Sequence, residues 1–158
     1  MHTPANVARH PIHPMLVPIP IGLWVFSLIC DLVFAGGGSA TWHTVAFYTM
    51  VGGVIGALVA AIPGAIDLLS LRGEAKRTAL VHMGLNLTIV VLYLINIWLR
   101  AIGAASDAAS VWLSAVSIAM LVVSGWLGGK LVYVHGVAVE PAPEQAALHH
   151  EMHREVHS

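Results

Sequence analysis

Apolar residues run almost unbroken through four stretches of the chain, 15–34, 45–70, 79–99 and 111–134, and polar residues gather between them. Each stretch can cross a hydrocarbon core, which takes about 20 helical residues. No water is available at that depth to bond an open backbone, so segments this apolar predict helices. The breaks carry turn and loop residues: Gly36-Gly37-Gly38-Ser39, the charged run from Arg72 to Arg77, and Gly103 to Ser110. The fold class that follows is all-α, an integral-membrane four-helix bundle. Its short connections make sequential spans antiparallel neighbours. The first span is longer than the apolar region of a cleaved leader and is read as retained. Residues 1–138 form the four-span transmembrane domain, and 139–158 a polar, histidine-rich tail.

Composition agrees with this reading. Of 158 residues, 58% are hydrophobic and 9% charged, against about 25% charged in a soluble domain. Seven Lys and Arg balance eight Asp and Glu, so no nucleic-acid partner is expected; the partner implied is membrane lipid. Arg9, Arg72, Lys76, Arg77, Lys130 and Arg154 fall on the side of the termini, and Arg100 alone on the other. The positive-inside rule then puts both termini in the cytoplasm. A single cysteine, Cys30, excludes a disulfide framework and a protein-held iron–sulfur cluster. HExxH and phosphate-cradling motifs are absent, so hydrolytic catalysis is not expected.

Ten histidines are unusual in so apolar a chain. His10, His13, His82 and His135 all fall at the cytoplasmic end of the predicted bundle, and Asp67, Asn86, Lys130 and Tyr133 lie near the same level. The expectation is a shared cofactor or metal site there, since imidazole is the commonest metal ligand. His43 is alone at the other end and reads as interfacial. In His10-Pro11-Ile12-His13-Pro14, each histidine precedes a proline and is pushed toward extended backbone. A polyproline arm would aim both imidazoles one way, roughly 9 Å apart, with Pro14 opening the helix. The intramembrane acids need partners: Asp67 could pair with Lys130, and Asp31 with His43 or Arg100. Gly52, Gly56, Ala60 and Gly64, flanked by Gly53, Ala57, Ala61 and Ala65, make small-residue stripes. These serve close helix packing first, or leave room for a flat ligand, as would Gly128 and Gly129. They also leave a homo-oligomer open. His149, His153 and His157 would share one face of a helical tail.

The HPxHP opening, Asp31, Pro63-Gly64-Ala65-Ile66-Asp67, His82 with Asn86, and the run from Gly128 to Gly136 resemble a known family. It is a widespread bacterial domain-of-unknown-function family of small four-span membrane proteins, and the likeness covers roughly residues 8 to 138. Relatives in it occur fused to Rieske-type or c-type cytochrome modules. The resemblance therefore implies a multi-pass protein of the bacterial inner membrane, haem in the four-span part, and electron transfer. This chain carries no fused redox module, so a separate redox partner protein is implied. Three functions are weighed: a b-type haem protein, with His82 and His135 as candidate axial ligands and His10 and His13 competing; a binder or sensor of Zn, Cu or non-haem Fe; and a cofactor-free structural subunit.

Overall fold

The computed structural model describes residues 4–8, 10–104 and 106–139. The tail histidines, Arg9 and Arg154 lie outside the described residues. A short antiparallel ladder of β1 (Asn6–Val7) and β2 (His10–Pro11) precedes five helices. These are α1 (Ile12–Leu16), α2 (Pro18–Ala35), α3 (Ala40–Ser70), α4 (Gly73–Ala101) and α5 (Asp107–Tyr133). Helices α1 and α2 together make the first of four apolar spans, Ile12–Ala35. The break between them follows from Pro18 and Pro20, which offer no N–H to the carbonyls one turn back. The spans begin three to six residues before the apolar stretches do, because the helices continue through the polar residues at their ends.

The helices close a ring in which α2 packs on α3 and α4 on α5 most extensively, with α2 against α5 and α3 against α4 completing it. Both hairpins are antiparallel. Along the first, Gly52 faces Leu23, Gly56 faces Ile19 and Pro20, and Gly64 faces His13. The small-residue stripe of α3 is therefore a groove that receives the first span, which is the packing role of such stripes in lipid. At mid-height, Trp24, Met50, Val54, Ile89, Val90, Tyr93 and Leu121 form the core. Trp24 stacks on Tyr93 with centroids 4.5 Å apart.

The outer surface is apolar, carried by side chains such as Phe26, Ile55, Leu58, Val91 and Val122. Polar groups turn inward: Ser27, Asp31, Asp67, Asn96, Ser110, Ser114, Ser117 and Ser124 are all buried. Helix α5 meets its neighbours along Ser110, Ser114, Ser117, Leu121 and Ser124, a spacing of three and four residues that lines one face. Exposed Trp98 and Trp112 ring one end, and Trp126 and Tyr133 lie toward the other, as aromatic residues do at membrane boundaries.

Candidate functional site

Two polar clusters occupy opposite ends of the bundle. At the first, Arg100 Nη1 donates to Asp31 Oδ1 at 2.9 Å and Nη2 donates to Oδ2, with both side chains 3% exposed. Arg100 Nε donates to Asn96 Oδ1 at 3.1 Å. The Asn96 amide in turn donates to the Ser110 carbonyl and to Ser114 Oγ, at 2.9 and 3.0 Å. Of the two partners foreseen for Asp31, Arg100 is the one it takes. His43 lies instead 4.0 Å from Asp107 and against the Phe34 ring. A fork-to-fork guanidinium–carboxylate pair has the geometry and the donors to persist without water. Asn96 carries the network onward to α5.

At the second cluster, His13 comes from α1 and His82 from α4. The His13 ring fills a slot left by Gly64, where a Cβ would lie 2.8 Å from its Nδ1. That Nδ1 lies 2.7 Å from the Ala60 carbonyl, in the helical turn before Pro63. A carbonyl only accepts, so Nδ1 carries a proton, and in the neutral tautomer that this selects Nε2 holds the lone pair. His82 Nδ1 bonds the Ser124 carbonyl at 2.9 Å, with Ser124 Oγ at 3.0 Å. Its Nε2 accepts from the Asn86 amide at 3.1 Å. The same amide donates to the His82 carbonyl at 2.9 Å, which fixes its orientation. Gly128 backs the ring, and a Cβ there would stand 3.3 Å from Cε1. The two imidazoles meet with centroids 6.5 Å apart and planes at 87°.

The other foreseen site residues stand apart from this pair. His10 bonds the Ala8 carbonyl at 2.9 Å in the exposed ladder. His13 is helical rather than extended, so the two do not form one polyproline arm. Pro14 is the third residue of α1, not its first, since the first turn has no N–H bonds for a proline to break. His135 follows the end of α5 and reaches Thr78 Oγ1 at 3.5 Å. There Gly136, at φ 63°, turns the chain so that Val137 packs with Ala75 and Ala79 of α4. The expected four-histidine metal cluster is therefore corrected to one pair. Among the described residues, no three of His, Cys, Asp and Glu are placed to hold a metal ion. Asp67 is buried and accepts the Ala5 N–H at 2.9 Å. Lys130, its foreseen partner, is exposed in a groove between α4 and α5. Tyr133 is 90% exposed on the apolar surface.

The sequence matches the family described as predicted membrane protein (DUF2231) over residues 9–141. The chain belongs to that family. Neither a curated protein nor a solved structure matched it. The span shared with DUF2231 takes in all four membrane helices and both polar clusters. Within this DUF2231 chain, sequence reasoning missed Asn96, Ser110, Ser114 and Ser124 as site-builders. Their signal was present: serines 110, 114, 117 and 124 fall on one helical face.

Proposed function

We propose that this membrane protein holds a metal centre between His13 and His82, haem b being the form the donor set favours, and passes electrons within the membrane. One observation carries the reading: both imidazoles hand Nδ1–H to a backbone carbonyl while their rings converge from different spans. Such a bond on the second nitrogen fixes the tautomer and orientation of a metal-ligating histidine. The ring centroids are 6.5 Å apart. Two imidazoles this close could both reach one metal held between them.

The donor set also discriminates between metals. A structural zinc site takes four protein ligands, whereas a haem would ask fewer ligands of the protein. Two histidines with no third ligand among the described residues suit the second case. For the group to bind, the Asn86 amide must turn away from His82 Nε2. A haem held by two histidines supplies one-electron transfer. Gly64 and Gly128 let the rings sit flush against α3 and α5, and the carbonyls of Ala60 and Ser124 keep them from rotating. The basic residues Arg72, Lys76, Arg77 and Lys130 support a reading in which this end faces the cytoplasm, in a bacterial inner membrane on the family resemblance. Electrons would be exchanged there with a separate redox protein.

The test is an optical spectrum and metal analysis of the full chain purified from haem-replete cells. The expected result is a reduced low-spin haem band at up to one haem per chain. His13→Ala and His82→Ala each abolish it, while His10→Ala and His135→Ala leave it. Stoichiometric zinc or copper without haem would move the assignment to a bare metal site. A colourless, metal-free protein that also ignores added haem would overturn it and leave the Asn86–His82–Ser124 bonds as a packing clasp.

A further inference from the structure

A groove of about 280 Å³ opens between α4 and α5 at the histidine end, lined by Glu74, Arg77, Thr78, Val81, Leu127 and Lys130. On α4, residues 74, 77, 78 and 81 are spaced i, i+3, i+4, i+7 and share one face; on α5, 127 and 130 do the same. Polarity changes with depth. Glu74, Arg77, Thr78 and Lys130 lie toward the helix ends, while Val81 and Leu127 lie about one turn further into the membrane, at 1.5 Å per residue. From the water inward, the groove thus offers cations, a hydroxyl, then hydrocarbon.

Its electrostatics favour an anion. Arg77 and Lys130 outnumber Glu74, and Arg72 and Lys76 stand exposed nearby. The N-terminus of α4 points to the same end, and its N-cap, Arg72, makes no side-chain capping bond. The positive end of a 29-residue helix therefore adds to the field there. A soluble anion would meet the cations but leave Val81 and Leu127 unused. A phospholipid matches the whole gradient, and basic pockets between membrane helices are recognised headgroup sites.

We propose that this groove binds one anionic phospholipid, its phosphate between Arg77 and Lys130 and an acyl chain along Val81 and Leu127. The site is independent of any centre at His13 and His82. Thr78 supplies a hydroxyl at phosphate height, and its 3.5 Å contact with His135 borders the groove on the far side. Glu74 limits the headgroup to one whose charge the two cations can outweigh.

The experiment is native mass spectrometry of the full chain released from nanodiscs of mixed phosphatidylglycerol and phosphatidylcholine, repeated with inorganic phosphate as competitor. The expected result is one phosphatidylglycerol retained per chain in preference to phosphatidylcholine. Retention should weaken by about fivefold for each of Arg77→Gln and Lys130→Gln, the effect of one cation near a charged membrane surface. Glu74→Gln should strengthen it, which keeps the test decisive if a cation variant folds poorly. Arg72→Gln with Lys76→Gln, outside the groove, should weaken it less than either groove variant alone. Equal loss from that outer pair would mean diffuse surface charge and overturn the site. Displacement of the lipid by millimolar phosphate, or no lipid preference at all, would do the same.

Discussion

At the Asp31 end, Arg100 directs its donors to Asp31 and Asn96, and Asn96 passes the chain of bonds to Ser110 and Ser114. At the histidine end, His13 and His82 each anchor one nitrogen on a backbone carbonyl and remain partly accessible. Both ends place costly polar groups within membrane helices. In the first, charge meets charge at full burial and the network closes on itself. In the second, the ring nitrogens that face away from the anchoring carbonyls carry lone pairs, and one of these is held by nothing stronger than a neutral amide. A closed network fixes helices. An anchored imidazole with a lone pair to offer can also receive a ligand.

The largest effect should come from splitting the closed end. Arg100→Ala leaves a buried carboxylate unpartnered and should cost about 3–5 kcal/mol, read as a lowered melting temperature in detergent. Removing both charges together, Asp31→Leu with Arg100→Leu, should restore most of that stability. A double variant as unstable as the single one would mean the ends do not differ in the way described.

A smaller loss is expected at the histidine end. Gly64→Ala puts a methyl where the His13 ring stands, and the overpacking should cost about 1–3 kcal/mol. It should also part His13 from His82, so any bound centre should be lost together with the stability. Retention of that centre would show that the ring's seat on α3 is not what positions it.

The smallest effect probes a polar atom in the mid-height core between the two ends. Among the described residues, the Tyr93 hydroxyl is buried without a hydrogen-bond partner. Tyr93→Phe removes a group whose burial is uncompensated, so stability should hold or rise by about 1 kcal/mol. A clear fall on denaturation would reveal a bond to that hydroxyl and extend the network toward the core.

Much of this architecture can be read from the residue pattern. The four spans follow from apolar length alone, and the glycine stripe of α3 from its four-residue repeat. Which face of a span looks inward is harder, because helices in lipid are apolar all round. Tyr133 shares a level with the histidines yet points to the surface, and nothing in its neighbours' hydropathy marks that. The serine face of α5 was legible by spacing but small beside the glycines, which draw attention first. Local rules also failed where tertiary contacts outweighed them. His13 precedes a proline and is still helical, because the slot at Gly64 and the Ala60 carbonyl hold its ring. His135 falls just past the end of α5 and reaches Thr78 instead of the pair.

Asp31 and Arg100 are separated by 69 positions, so a complete helical hairpin must enter the bilayer between the acid and the base. A carboxyl at that depth is costly to bury without a partner. Asp31 lacks its partner until α4 arrives, and the pair closes only then. Membrane entry and consolidation then become separate events in the birth of this molecule. A chain halted at Ser70 is expected to leave the Cys30 thiol, fully buried in the finished bundle, open to a membrane-permeant maleimide that the whole protein excludes.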